Sequence, residues 1–309
     1  MRRILSGLLV MVGVSSFTQS SSDLADDSNE GRSSGFIAFR DELAKDIGLD
    51  VTWGDQPYQV KGIKVGEVSL RPVQDTEEMQ KFFVALFGDA EVVKHYATGK
   101  PIDPQVVKNG LAWRSGLWDS NMFSSLALYD RFCRLSGRVT VGHGAKEEGE
   151  GSSEIEAIWT PDFKPHMMTV GIAALKWGYL VQQLGVKAAK EEKVDPAKGV
   201  RRFNVGRWAN EDGSIFCGAP LQKIISTVSE ANHTMVKSLE LLGFTKREER
   251  ASRHDGVVKL YYELPFAFDS VDQFNAFIAG MEQKVFDAKA EEEAVAAAVS
   301  DVVVEERKP

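Results

Sequence analysis

Cysteine is nearly absent from this chain. Cys133 and Cys217 are the two among 309 residues, so a disulfide scaffold is not implied and a single bridge is the most the sequence allows. Long apolar runs are missing too. No stretch approaches the roughly 18 residues needed to cross a bilayer, so no transmembrane span is expected. Basic charge is in deficit, with a formal net charge of −8 and a pI of about 5.3. That balance argues against a nucleic-acid partner, whose phosphates call for a basic face. No internal repeat is evident. The five histidines, His95, His143, His166, His233 and His254, are scattered without the spacing of a metal site, so no metal is expected. No Ser-His-Asp set, Walker A loop or dinucleotide fingerprint can be assembled.

What remains is an ordinary globular composition, 43% hydrophobic and 27% charged, in a chain long enough for one large domain or two small ones. Met1-Arg2-Arg3, the apolar ILSGLLVMVGV and the small polar SSFTQSSS have the layout of a secretory signal peptide, though no A-x-A cleavage site follows. An apolar segment of no such role and a misassigned start codon are the alternatives. Residues 20–35 are rich in Ser, Asp and Gly and read as a disordered linker.

The expected organisation is a possible signal and linker at 1–35, an N-terminal extension at 36–60, a main domain at 61–268 with an insertion at 186–221, and a C-terminal helix with an acidic tail at 269–309. Within the extension, Phe36 to Ile47 form a short helix, and Trp53 and Tyr58 fall in a loop. The body opens with the strand EVSLRPV. Asp75 and Glu78 resemble a capping box, and Met79, Phe82, Phe83 and Leu86 form a helical stripe. Asp103-Pro104 starts a second helix. Strands follow at 124–130, 137–144 and 153–160, the last alternating cleanly, with Glu154, Glu156 and Ile158 on one face. A helix is expected over about 167–184, then a long charged tract at 186–221 that reads as a functional flap or a mobile loop.

Residues 223–264 carry the strongest signal. An apolar strand, KIISTVS, leads to a short amphipathic helix in which Asn232 is a fitting N-cap. Gly243 can end it in the left-handed conformation, with Phe244 folding back, and the strand VVKLYYEL closes the unit. The string Asn232, Val236, Leu239, Glu240, Gly243-Phe244 resembles the late motif of the GNAT acyl-CoA N-acyltransferase superfamily. It looks most like the branch of ribosomal-protein N-terminal acetyltransferases. Leu70-Arg71-Pro72 before an acidic helix start, Ala97-Thr98-Gly99 and the Trp-rich helix after Asp103 fit that branch as well. The resemblance covers roughly residues 65–266.

It implies an α/β (α+β) fold, with a mixed central sheet flanked by helices and a splay between two parallel strands. It also implies acetyl-CoA as co-substrate, a primary amine on a protein N-terminus or a small molecule as acceptor, and direct attack without a covalent intermediate. The splayed strands should be 153–160 and 223–229, with a phosphate cradle at 163–171. On that alignment Ala157, Ile158, Trp159, Lys164, His166, Met167, Met168, Thr169, Val170, Gly171 and Asn232 would contact acetyl-CoA. The family's cradle is rich in glycine, whereas Lys164, His166 and Met168 stand at the corresponding places here. The family's tyrosine acid is replaced by Leu239.

Glu154 and Glu156 are the candidate bases: a carboxylate can take the amine's proton, and two of them two residues apart repel and raise one pKa. A solvent-facing strand edge is their plain alternative. Trp113, Arg114 and Trp118 are candidate acceptor-pocket residues, and a place in the core is the alternative. An active enzyme would be expected in the cytoplasm, where acetyl-CoA is found. A cleaved segment 1–20 would place the protein outside it, and there an inactive GNAT-derived binding module or an unrelated acidic α/β protein would fit better.

Overall fold

The computed structural model describes residues 30–145, 148–195, 197–208, 215–251 and 258–305. The signal-peptide segment, His254 and the charged stretch around residue 210 lie outside these. The elements run α1 (Glu30–Asp46), β1 (Asp50–Trp53), β2 (Val60–Val65), β3 (Val68–Pro72), α2 (Glu77–Gly88), α3 (Ala90–Val93), α4 (Pro104–Ser120), β4 (Ser125–Tyr129), β5 (Leu135–Ala145) and β6 (Ser152–Trp159). A 3-10 turn (Pro161–His166) leads into α5 (Met167–Glu192). Then come β7 (Gly206–Trp208), β8 (Ile215–Cys217), β9 (Lys223–Val228), α6 (His233–Leu241), β10 (Thr245–Ala251), β11 (Val258–Pro265) and α7 (Val271–Glu305). Among the described residues no helix is long and apolar enough to cross a membrane.

The strands form one mixed sheet in the order β1-β2-β3-β4-β5-β6-β9-β11-β10, and β7 pairs with β5 and β8. Alternation along the strands divides the side chains between two cores. On β4, Leu126 and Leu128 join α1, α5 and α7 residues on one face, whereas Ala127 joins α2 and α4 residues on the other. The same alternation on β6 turns Ile155, Ala157 and Trp159 toward the α5 side and Ile158 toward the α4 side. This is the expected fold class: a mixed sheet flanked by helices with one splayed parallel pair.

The local structure departs from the sequence reading in several places. The stretch expected to be a linker up to residue 35 is helical from Glu30, and the tract 186–221 contributes a 3-10 turn (Arg201–Phe203) and the strands β7 and β8, with β7 paired to β5. The cap of α2 is Thr76, whose hydroxyl accepts from Met79 N–H at 3.3 Å, while Asp75 instead accepts from the Gln80 amide at 2.8 Å. Trp53 ends a strand, β1, rather than sitting in a loop. The helix expected to stop near 184 continues to Glu192, because Ala188 packs into the same core as Phe203 and Lys187 pairs with Glu191 at 3.0 Å. The charged run after Gly243 is β10, an edge strand whose polar side chains suit a sheet margin. Cys133 is free and exposed.

Asn232 caps α6 as expected, its side chain accepting from Met235 N–H at 3.2 Å. The helix ends with Gly243 at φ +80° and with Phe244 N–H bonded back to Leu239 O at 2.9 Å. That is a glycine-terminated stop in which the sixth N–H returns to the first carbonyl.

Candidate active site

The strands β6 and β9 run parallel, yet they pair over Ser152–Glu154 against Lys223–Ile225 alone. Both continue beyond that point, β6 to Trp159 and β9 to Val228, each still bonded to its outer neighbour, β5 or β11. From Ile155 and Ser226 onward their facing edges therefore have no strand opposite among the described residues. Backbone N–H and C=O groups along such an edge need other partners.

The divergence coincides with a β-bulge on β5. Its register against β6 shifts between Val141 and His143, opposite Ile155 and Glu154. Bulges bend a strand and increase its twist. Gly142 makes this one possible. Its φ is +126°, and a Cβ there would stand 2.0 Å from the Phe123 side chain. The hydroxyl of Ser153 accepts a bond from Gly142 N–H and fixes the bulge against β6.

The gap opens into a cleft of about 500 Å³. Of the residues predicted to contact acetyl-CoA, Ala157, Ile158, Trp159, Lys164, Met167, Val170, Gly171 and Asn232 line it. Met168 and Thr169 are on the wall of a separate cavity beside Gly48 and Lys176 instead, because successive residues of a helix's first turn face different ways. His166 sits beside the Phe163 ring, with centroids 5.2 Å apart. At the start of α5 no side chain caps the backbone, and the exposed Lys164 stands one turn before it. Gly171 lets α5 approach α6, since a Cβ there would lie 2.9 Å from Leu242 Cδ1. Leu239 and Met235 of α6 form the opposite wall. Leu239 occupies the position where the family resemblance calls for a tyrosine.

The two candidate bases have different surroundings. Glu156 is an ion-pair partner of both Arg114 (3.1 Å) and Arg138, and its side chain is 20% exposed. Arg138, 4% exposed, also donates to Thr140 (2.9 Å), to Ser125 (3.3 Å) and to the Tyr96 hydroxyl (2.9 Å). Burial lowers the Arg138 pKa, but Glu156 and then Tyr96 more than offset it, so the net shift is upward. For Arg114, burial and the nearby Arg138 charge outweigh Glu156 and the shift is downward. Burial, helped by Glu156, raises Tyr96 well above its ordinary value. Glu156 thus joins a buried charge cluster rather than a solvent-facing edge, and placing a proton on it would break two ion pairs. Glu154 differs. It lines the cleft at the apex of the splay, with the Thr227 hydroxyl 3.5 Å from its Oε1.

None of the three expected acceptor-pocket residues is on the cleft wall. The indole N–H of Trp118 donates to Ser125 O at 3.0 Å, and its ring lies 6.2 Å from Trp177, in the core. Trp113 lies half-buried beside the Arg114 guanidinium. Arg114 reaches the cleft through Glu156. The sequence reading missed Tyr96 and Lys259, which do line it. They come from a turn after α3 and from the first residues of β11, and no periodicity or motif spacing ties those segments to β6.

No protein-family model matches the sequence, and no curated protein matches it. Solved structures do. A GNAT-family acetyltransferase from Bacillus anthracis is similar at TM-score 0.43 and 15% identity, over 66% of this chain and 98% of that one. A GCN5-related N-acetyltransferase from Brucella melitensis is similar at 0.43 and 12%, over 76% and 88%. The spermidine N-acetyltransferase of Vibrio cholerae, in complex with CoA and spermine, is similar at 0.42 and 14%, over 64% and 95%.

Proposed function

We propose that this protein transfers an acetyl group from acetyl-CoA to a primary amine. One observation carries the reading: two parallel strands part after three paired positions, and a carboxylate, Glu154, stands where they separate. The unpaired edges of β6 and β9 suit the amide-bearing arm of acyl-CoA, which can complete their hydrogen bonds. The α5 N-terminus carries the positive end of the helix dipole, and with Lys164 nearby it suits the pyrophosphate.

Glu154 lies on the α4 side of the sheet, so the amine would come from that face. Glu154 takes the ammonium proton, directly or through a water, and the freed nitrogen attacks the thioester carbonyl. The C–N bond forms, the C–S bond breaks, and the CoA thiolate takes up the proton the nitrogen sheds. Direct attack needs no covalent intermediate on the protein, and no cysteine lines the cleft among the described residues. A protein N-terminus and a small-molecule amine both satisfy this chemistry.

A second reading has its own support. Lys164, His166 and Met168 replace the glycines of the family cradle, and Leu239 replaces its tyrosine. These substitutions favour a GNAT-derived binding module without catalysis, and a cleaved export signal would suit it. Calorimetric titration of the full chain with acetyl-CoA separates the two. Binding heat and a raised melting temperature are expected. No heat and no thermal shift at millimolar ligand would leave the binding module.

A further inference from the structure

Two consecutive residues, Tyr96 and Ala97, are tied to strands on opposite sides of the gap. The Tyr96 hydroxyl accepts from Arg138 Nη2 at 2.9 Å, and Arg138 belongs to β5, the outer neighbour of β6. The Ala97 carbonyl accepts from Lys259 Nζ at 2.5 Å, and Lys259 belongs to β11, the outer neighbour of β9. The sheet order β5-β6-β9-β11 places the failed pairing between these anchors. The segment therefore spans the gap from one half of the sheet to the other.

It does so on the α4 side. Leu260 and Tyr262 of β11 face the core that holds α5, so Lys259 faces the opposite way, as Glu154 and Glu156 do on β6. Lys259 is 9% exposed and lines the cleft together with Tyr96 and Ala97. The segment is a tight turn: Tyr96 N–H bonds Val93 O, and Gly99 N–H bonds Tyr96 O, both at 2.8 Å. Gly99 has φ +72° and Ala97 φ +45°. Left-handed backbone is costly for alanine and persists where surrounding contacts hold it. The Lys259 bond to the Ala97 carbonyl is such a contact.

We infer that Lys94–Gly99 is a clasp across the acceptor-side mouth of the cleft, and that Tyr96 and Lys259 determine which amines pass it. This rests on the acyl-transfer reading for what goes through the clasp, and on geometry alone for the clasp itself. Acyl-CoA reaches the gap from the α5 and α6 side and does not cross the segment. An amine approaching Glu154 from the α4 side does. With both anchors made, a small unbranched amine reaches Glu154 more easily than a bulky one.

The test uses the full chain with Lys259→Met, which keeps the stem and removes the donor, and Tyr96→Phe, which removes the hydroxyl alone. Amide hydrogen exchange over residues 94–99 should quicken about tenfold or more in each variant, the effect of losing at least one hydrogen bond from a local opening equilibrium. The acetyl-CoA Kd should not move. The ratio of kcat/KM for benzylamine over methylamine should rise about tenfold, the equivalent of one such bond. Unchanged exchange would overturn the clasp. Quickened exchange with an unchanged amine ratio would overturn its role in selecting the acceptor. If the wild-type chain does not bind acetyl-CoA, the acyl-transfer reading fails and the selection role with it, whereas the clasp still stands or falls on exchange.

Discussion

Glu154 sits opposite Ile225, the last position at which β6 and β9 are in register. One residue further the two strands have separated, so Glu154 belongs to the sheet through its backbone and to the cleft through its side chain. A carboxylate whose backbone is anchored in that way suits the positioned proton transfer proposed for it.

Glu154→Gln should lower kcat about 100-fold, the usual scale for losing a general base. The acetyl-CoA Kd should stay near wild type, because the proposed role of the carboxylate is on the amine. Steady-state kinetics beside calorimetry would check this. An equal loss in binding and turnover would argue for a structural role.

Glu156→Gln should act on stability. It strips two guanidiniums, Arg114 and the buried Arg138, of their shared counter-charge. Breaking a buried pair by removing one partner costs about 3 kcal/mol or more. Urea unfolding should show that loss for Glu156→Gln. A variant as stable as the wild type would contradict the structural role of Glu156.

Alkaline pH should weaken the fold through Tyr96. Its folded pKa is raised, chiefly by burial and then by Glu156, above the ordinary value of about 10. The fold therefore favours the neutral hydroxyl. That contribution is complete below the unfolded pKa and is lost as pH rises through the folded one, because the unfolded chain ionises first. Above about pH 10 the wild type should lose stability more steeply than Tyr96→Phe. Parallel melting curves for the two proteins across that range would reveal it, and superimposed slopes would contradict it.

Gly171→Ala should destabilise the chain by about 1 kcal/mol, a typical cost of mild overpacking. The new Cβ would meet the end of the Leu242 side chain at 2.9 Å. In a Leu242→Ala background the penalty should vanish, and a double-mutant cycle measures that coupling.

Asn232→Ala should cost about 1 kcal/mol by removing the α6 cap. If the side chain also contacts bound acetyl-CoA, affinity for it should fall as well. Denaturation and titration of the same variant separate the two effects.

Much of this architecture was legible because it depends on local chemistry. Asn232, the apolar stripe of α6 and Gly243 specify a helix start, a buried face and a stop within twelve positions, and the structure has all three where the string places them. The alternation in β6 showed that Glu154 and Glu156 share a face. Edges of the fold were harder. The residues Thr245–Ala251 carry no apolar pattern, because an edge strand with polar side chains is held by backbone bonds to β11. The last turns of α5 read as a charged tract, since the partner that buries Ala188 lies in a distant segment with Phe203.

The sequence alone determined the local pieces beside the cleft, namely the cap, stripe and stop of α6 and the shared face of Glu154 and Glu156, since capping, periodicity and alternation act over a few neighbours. Tertiary structure decided what those residues can do. It neutralised Glu156 with arginines from β5 and α4, left Glu154 facing the cleft, and turned Met168 and Thr169 away from it. It also brought Tyr96 and Lys259, 163 positions apart in sequence numbering, to one turn of chain across the gap. The physical reason is range: a helix cap is satisfied by the next few residues, whereas charge pairing and cleft geometry depend on strands that meet only after the sheet has assembled.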